Sequence, residues 1–306
     1  MIPPVPLTEK ITLLGSQFFN LYLVKGETYA LIEGGVSGVT HDVLTQLNQI
    51  NVSPEAISHL VILHSHFDHL MVFLTLKQRY PWLKIVSSPL NQTVFSNERI
   101  LAKIFDADRK ITLGMLGQGL ISEAPEFHPG TSLPIDLPMN GNSILDLGKG
   151  VTLTFVDTPG HSPDCLAAYD DRQEILFCSD AAGFYLPPDV FRPNYWYSLE
   201  ESDKSFDRMK RIDPNILCRG HYGAIVGRES VRRNLQTAHQ SMRDFRTFVM
   251  DRIQNGGSVD DLTRQVTEQF SKGFLELFPY EDNYRLWKLL IRRTLEHLGI
   301  EVEERP

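Results

Sequence analysis

Apolar residues cluster along the first 90 positions in short runs that are separated by glycines and polar turns. Runs of four to six residues bounded by such turns are typical of β-strands. Between them, two longer segments repeat apolar residues every three or four positions and predict helices over 37–51 and 71–80. This alternation of strands and helices indicates an α/β fold. The predicted strands are Ile11–Leu14, Asn20–Val24, Tyr29–Ile32, His59–Leu63 and Lys84–Ser87.

The next segment, Pro89 to Ser143, interrupts this alternation. Its first part, Gln92 to Leu116, has helical spacing. Its second part carries four prolines and is predicted to be a loop. Loops of this length inside a domain are usually functional, so we expect the insertion at about 89–143 to form part of a substrate-pocket wall. The four prolines are Pro125, Pro129, Pro134 and Pro138.

Short apolar runs return at 151–156, 174–178 and 215–218, and the pattern then becomes helical to the end of the chain. Asn255-Gly256-Gly257 predicts a helix end, and Ser258 predicts the start of the next helix. The last helix, Asp282 to Leu298, is expected to bury the apolar side chains that line one of its faces. We therefore divide the chain into a core at 1–228 and a helical extension at 229–306, which covers the active-site side or forms a homodimer. The predicted stripe is Tyr284, Trp287, Ile291 and Leu298.

Composition limits the class of protein. The 306 residues are 42% hydrophobic and 22% charged, as in ordinary globular proteins, and the net charge of −8 argues against nucleic acid as a partner. No apolar stretch is long enough to span a membrane, and the N-terminus does not resemble a signal peptide. Cys165, Cys178 and Cys218 lie in apolar surroundings and are expected to be buried thiols. A cytoplasmic protein that acts on a small molecule is the expectation.

The candidate chemistry begins with the run His64-Ser65-His66-Phe67-Asp68-His69, which directly follows an apolar strand. Imidazole and carboxylate groups are ligands of zinc, iron and manganese. His64 and His66 are two residues apart, so in extended backbone they project from the same side. Asp68 and His69 follow where the chain turns into a helix, and they suit a second ion.

Three further polar residues follow strands downstream. His161 comes after a Pro159-Gly160 turn, Asp180 after the run at 174–178, and His221 after the run at 215–218. Each alone would be an ordinary loop residue. Together with the first cluster they supply ligands for two metal sites.

These seven residues resemble the ligand pattern of the metallo-β-lactamase superfamily. The resemblance implies a four-layer αβ/βα sandwich that holds two divalent ions, zinc or iron first and manganese next. It implies that His64, His66 and His161 hold one ion, that Asp68, His69 and His221 hold the other, and that Asp180 bridges them. The layout, with Ile32-Glu33-Gly34-Gly35 as a local match, also resembles the branch that contains the quinolone-signalling thioesterase.

The resemblance implies hydrolysis by a metal-bridging hydroxide, with Asp68 and Asp180 as the catalytic carboxylates. A thioester is the leading substrate, because a thiolate leaves without a dedicated acid. Arg285, Lys288, Arg292 and Arg293 form a solvated face or contact the phosphates of a coenzyme A carrier.

Four alternatives stay open. Lactone or ester hydrolysis is weakened because Gly183 stands where the lactonases have a tyrosine. Phosphodiester hydrolysis is weakened by the acidic charge. Oxygen chemistry at iron is weakened by His66, because the diiron reductases of the superfamily have a glutamate there. The last alternative is a regulatory binding protein with incidental hydrolysis.

Overall fold

Two β-sheets pack face to face in the computed structural model, which describes residues 2–125, 133–187 and 190–300. The strands of the first sheet lie in chain order; β1 to β4 pair antiparallel, and β4 to β7 pair parallel. They are β1 (Val5–Pro6), β2 (Ile11–Gly15), β3 (Asn20–Lys25), β4 (Tyr29–Ile32), β5 (Ile57–Ile62), β6 (Lys84–Ser87) and β7 (Leu137–Pro138).

The second sheet has the order β15-β14-β11-β10-β9-β8, with β11 and β14 parallel and the other pairs antiparallel. A separate hairpin is formed by β12 and β13. These strands are β8 (Ile144–Gly148), β9 (Val151–Asp157), β10 (Leu166–Asp170), β11 (Ile175–Ser179), β12 (Phe184–Leu186), β13 (Val190–Arg192), β14 (Ile216–Arg219) and β15 (Ala224–Val226).

Helices cover the outer faces of both sheets. Each belongs to a segment that the sequence predicts as helical, apart from α5, which lies outside the predicted helical segments. They are α1 (Thr40–Gln49), α2 (Met71–Arg79), α3 (Asn91–Ser96), α4 (Glu98–Gly117), α5 (Leu199–Ile212), α6 (Arg228–Gln254), α7 (Val259–Phe270) and α8 (Tyr280–His297). No helix in the described ranges has the length and apolarity that a membrane crossing requires.

Successive side chains of a strand point to opposite faces of its sheet, and this alternation explains the inner and outer cores. In β3, Tyr22 and Val24 face the core between the sheets, whereas Leu21 and Leu23 join the outer core with α1, α2 and α4. In β11, Phe177 faces inward and Leu176 faces the outer core with α5, α6 and α8. Strands buried on both faces read as continuous apolar runs, which is the signal that marks them in the sequence. The predicted four-layer αβ/βα sandwich with C-terminal helices is confirmed.

The insertion differs in part from its prediction. Its first half forms α3 and α4, but Pro138 is not in a loop: Leu137–Pro138 forms the edge strand β7 beside β6. An edge position accepts proline because one side of the strand needs no ladder hydrogen bond. The segment 126–132, which contains Pro129, lies outside the described residues.

The last helix buries a stripe that is rotated from the predicted one. Trp287 and Ile291 are buried as expected, but Tyr284 is only half-buried and Leu298 lies past the helix end. The buried set is centred on Leu290, Thr294 and Leu295 instead. α8 shares its core with α6 and the second sheet, and the division of the chain at residue 228 stays a prediction.

Candidate metal centre

The seven candidate ligands lie past the carboxyl ends of four strands. His64, His66, Asp68 and His69 follow β5, with the last two in a 3-10 turn, Phe67–His69, that leads into α2. The other three follow β9, β11 and β14, which run in the same direction in the second sheet. The two sheets therefore deliver their ligands to one edge of the sandwich, where ligand sites of α/β sheets commonly lie.

His64, His66 and His161 form the first triad. Each offers one atom, and the three atoms lie within 4.8 Å of one another. His66 Nδ1 and His161 Nε2 are 2.8 Å apart. The loop that carries His64 and His66 is fixed by Asp164, whose carboxylate accepts the Ser65 N–H at 2.7 Å.

Asp68, His69 and His221 form the second triad. Asp68 Oδ2 is 3.6 Å from His69 Nε2 and 3.5 Å from His221 Nε2. Ligand atoms around a tetrahedral zinc stand about 3.3–3.4 Å apart, because the Zn–N distance is about 2.0–2.1 Å. The spacing in this triad is close to that value, so the donor set fits a metal ion.

Asp180 lies between the triads. Its Oδ2 is 3.5 Å from His161 Nε2 in the first triad and 3.7 Å from His69 Nε2 in the second. Its Oδ1 is 3.4 Å from His221 Nε2. One carboxylate thus faces both clusters, as a bridging ligand must.

Three of the histidine rings are held by acceptors at Nδ1, so that Nε2 faces the cluster. His161 Nδ1 donates to Asn194 O at 3.0 Å, and His221 Nδ1 donates to Phe18 O at 2.6 Å. His69 Nδ1 donates to the Glu33 carboxylate. Second-shell acceptors of this kind fix the tautomer and orientation of metal-binding histidines.

Ser179 completes this arrangement at His64. Its hydroxyl donates to Glu33 Oε2 at 3.0 Å, so it accepts from His64 Nδ1, also at 3.0 Å. The Nε2 atoms of His64, His69 and His221 are buried, and none has a hydrogen-bond partner among the described residues. Buried polar atoms without partners are costly, and a bound metal ion would satisfy all three.

The electrostatics favour positive charge in the second triad. Burial lowers the pKa of His64 well below its usual value and brings that of His161 to about 4. Burial also acts against protonation of His69, but the Glu33, Asp68 and Asp180 carboxylates outweigh it and raise its pKa well above the usual value. The three carboxylates thus favour a positive charge at His69, which is the charge that a bound metal ion would bring.

Two ligands depend on the glycine that precedes them. A Cβ on Gly220 would lie 2.5 Å from His69 Cε1 and 3.0 Å from Asp180 Oδ1. A Cβ on Gly160, whose φ is +139°, would lie 2.1 Å from Ser202 Oγ. The backbone before His221 and His161 therefore packs too closely for any side chain.

A cavity of about 630 Å³ opens directly from His66, Asp68, His161 and Asp180. Its inner wall is largely aromatic, and the Phe274 ring stacks on His221 at 4.8 Å. Helices α4 and α8 both line it, so the insertion and the last helix lie at the candidate site. The aromatic lining residues are Phe67, Phe184, Trp196, Phe274, Phe278 and Trp287.

The sequence pattern predicts the seven candidate ligands that the structure brings together, but it does not predict the residues around them. Glu33 belongs to the Ile32-Glu33-Gly34-Gly35 match, and its place directly after a buried strand is the signal that could have predicted a role for it. No sequence pattern marks two further residues of the site. They are Asn194, whose side chain lies 3.4 Å from Asp180, and Arg192, a buried cation beside Phe184. Phe274 lies in a short 3-10 turn, Gly273–Leu277, that periodicity does not detect.

Comparisons with known proteins identify relatives of the chain. The chain is 25% identical over 221 residues to a putative diflavin flavoprotein of Thermosynechococcus vestitus, an alignment that covers 66% of this chain and 33% of that protein. It is 23% identical over 213 residues to the uncharacterized protein YobT of Bacillus subtilis, covering 66% of this chain and 82% of that protein. The chain thus spans about a third of the flavoprotein's length.

Among solved structures, a metallo-β-lactamase family protein of Thermus thermophilus superposes with a TM-score of 0.68 at 18% identity, over 96% of this chain and 95% of that one. This likeness shows the fold. The sequence pattern of the metallo-beta-lactamase superfamily matches residues 18–221, which include all seven candidate ligands. On this match and this fold, the chain belongs to the metallo-β-lactamase superfamily.

Proposed function

We propose that the chain is a dinuclear metallohydrolase that cleaves thioesters with an apolar acyl group. The observation that carries the proposal is the set of three buried Nε2 atoms without hydrogen-bond partners that lie near Asp180, which itself lines an aromatic cavity. The ligands are five imidazoles and two carboxylates, without a thiolate. That donor set suits zinc, iron or manganese.

Two bound ions would supply a hydroxide nucleophile at neutral pH and would stabilise the developing oxyanion. The chain's own residues would do the rest. Asp180 faces both triads and would fix their separation. Asp68 borders the cavity and would hold a proton from the nucleophile on its carboxylate. The aromatic wall excludes water and receives the acyl group.

The leaving group argues for a thioester. A thiol has a pKa of about 8.5, so a thiolate leaves without a proton donor, whereas an amide nitrogen needs one. Among the described residues that line the cavity there is no tyrosine, serine, threonine or cysteine, so an amide leaving group next to the nucleophile would depend on the proton that Asp68 would hold, whereas a thiolate would not. Lactones and activated esters are the next substrates on the same argument.

Oxygen or nitric oxide chemistry at iron is the second candidate. The similarity to diflavin flavoproteins favours it, as does the 26% identity over 214 residues to an anaerobic nitric oxide reductase flavorubredoxin of Pectobacterium carotovorum. The chain covers only 35% of that reductase. His66 weighs against this candidate, because the superfamily's diiron reductases carry a glutamate at the matching position.

Metal analysis tests the ligand assignment. The purified protein is expected to hold about two equivalents of zinc, iron or manganese, and His66→Ala should lower that content. Metal at about a hundredfold excess over its dissociation constant stabilises a fold by about 2.7 kcal/mol, so chelation should lower the melting temperature. His59→Ala is the matched control, since His59 lies on β5 outside the cluster. Equal metal content in the two variants would overturn the assignment.

Substrate comparison tests the reaction class. With metal-quantified protein, an octanoyl thioester should be hydrolysed faster than a lactone, a β-lactam or bis-nitrophenyl phosphate, because the thiolate needs no protonation. Faster turnover of the phosphodiester would contradict the ranking. Oxygen consumption by iron-loaded protein with a reductant, without any ester hydrolysis, would favour the second candidate. Full metal occupancy with no turnover in either assay would favour a binding role.

A further inference from the structure

Helices α4 and α8 both line the cavity, and the Lys110–Asp282 ion pair connects them. From α4 the lining residues are Lys103, Asp106, Ala107 and Lys110, and from α8 they include Asp282, Arg285, Leu286 and Leu289. Both sets have the spacing i, i+3, i+4, i+7, so each is one continuous stripe on its helix. We call the space between the two stripes the α4–α8 cleft.

The charges in this cleft do not balance locally. Lys110 Nζ is 2.9 Å from Asp106 Oδ2 and 3.7 Å from Asp282 Oδ2, so one lysine contacts both carboxylates. Arg285 is 3.7 Å from Asp282 but is 77% exposed. Lys103 has no ion-pair partner within the described ranges. The cleft therefore keeps a cationic surplus, although the chain carries a net charge of −8.

Two other cations of α8 are occupied elsewhere. Lys288 Nζ is 2.7 Å from Asp260, and Arg293 contacts Glu296 at 2.8 Å and the Trp196 carbonyl at 3.2 Å. Neither lines the cavity. Of the four basic residues on the last helix, Arg285 is the one that borders the cavity.

We propose that the α4–α8 cleft binds an anionic group, a phosphate or a carboxylate, of an amphipathic substrate. The inference rests on the proposed function, because the reacting bond lies at the seven ligands. The apolar part would pack on the aromatic inner wall, and the anion would contact Lys103 and Arg285 at the entrance. Lys103 and Lys110 are seven residues apart, about 10.5 Å along a helix, which leaves room for a charged group beyond the Lys110 pairs.

Matched substrates test the cleft. Octanoyl-coenzyme A carries phosphates on its leaving group, the octanoyl thioester of N-acetylcysteamine is neutral, and the adipoyl thioester of N-acetylcysteamine carries a carboxylate on its acyl end. In Lys103→Gln/Arg285→Gln, we expect KM for one of the two anionic substrates to rise about tenfold, with kcat unchanged, and KM for the neutral one to stay constant. The anionic substrate whose KM rises shows whether the cleft binds an anion of the leaving group or of the acyl end. Added salt should raise the same KM in the wild type.

Lys84→Gln is the control, because Lys84 is an exposed lysine of β6 that does not line the cavity. Metal content and melting temperature of all variants should match the wild type. If the double variant hydrolyses all three substrates as the wild type does, the cleft proposal is wrong and the hydrolase proposal stands.

A binding measurement separates the two proposals. The affinity of zinc-loaded protein for the non-hydrolysable thioether S-octyl-coenzyme A is measured by calorimetry, and N-octyl adipamic acid serves as the carboxylate probe. If no thioester is hydrolysed but the double variant binds one of these anionic probes about tenfold more weakly, the cleft binds anions and the proposed reaction is wrong. Equal binding of both probes by the two proteins overturns the cleft.

Discussion

Replacing Asp180 by asparagine is expected to remove nearly all turnover and to lower the bound metal from about two equivalents to one or fewer. The amide would keep the shape of the side chain but lose the charge that faces His69, His161 and His221 at 3.4–3.7 Å. Loss of an outer-shell partner alone costs about 10–100-fold in affinity or activity. Loss of the bridging carboxylate should therefore lower kcat/KM at least about a hundredfold.

Asp170→Asn is the control for this change. Asp170 is buried, like Asp180, but its carboxylate accepts hydrogen bonds from Arg172 and Gln173 in a turn after β10. The variant should keep its metal and its kcat/KM. If Asp180→Asn protein holds two equivalents of metal and keeps the wild-type kcat/KM, Asp180 does not bridge the two ions.

Trp287→Ala is expected to destabilise the fold by about 3–5 kcal/mol, the usual cost of deleting a large buried aromatic side chain. Trp287 is 2% exposed and packs on Trp196 and Phe270, with ring centroids 5.9 and 5.6 Å away. Its Nε1 donates to Ser271 Oγ at 3.1 Å. At about 2 °C per kcal/mol for a chain of this size, the melting temperature should fall by roughly 6–10 °C.

Trp82→Ala is the matched control. Trp82 is 48% exposed and contacts Tyr80 at the surface. Its loss should change stability by about 0.5 kcal/mol or less, as is usual for surface positions. If chemical denaturation shows that the free energy of unfolding falls equally little in both variants, α8 does not belong to the cooperative core, and its role is confined to the cavity wall.

The sequence predicts the sandwich because its strands are buried on both faces. In β3 and β11 nearly every position needs an apolar or small residue, so the run is visible without alternation. The hairpin of β12 and β13 and the edge strand β7 were not predicted, because two or three residues carry no period. The predicted apolar stripe of α8 differs from the buried one because it leaves out Leu290 and Leu295. It also leaves out Thr294, a buried polar residue whose hydroxyl is hydrogen-bonded to the Tyr195 hydroxyl at 2.8 Å.

The seven proposed ligands stand out because a cluster of histidines and acids after strands is rare and chemically specific. Their bonding partners could not be found in the same way. Phe18 and Asn194 act through backbone carbonyls, which every residue has, so no side-chain pattern marks them. Lys103 and Arg285 are separated by most of the chain, and only the packing of α4 and α8 around one cavity relates them.

The close approach of Gly220 to two ligands has a consequence for how this chain tolerates genetic variation. A residue without a side chain performs no chemistry, yet an alanine there would push against His69 and Asp180 together. In a library that samples every codon, position 220 should score among the most damaging. Its neighbour Arg219, also buried, keeps its side chain away from the ligands and bonds the carbonyls of Tyr222 and Gly223. Selection would thus preserve this glycine as strictly as a ligand, and its conservation would record geometry rather than reactivity.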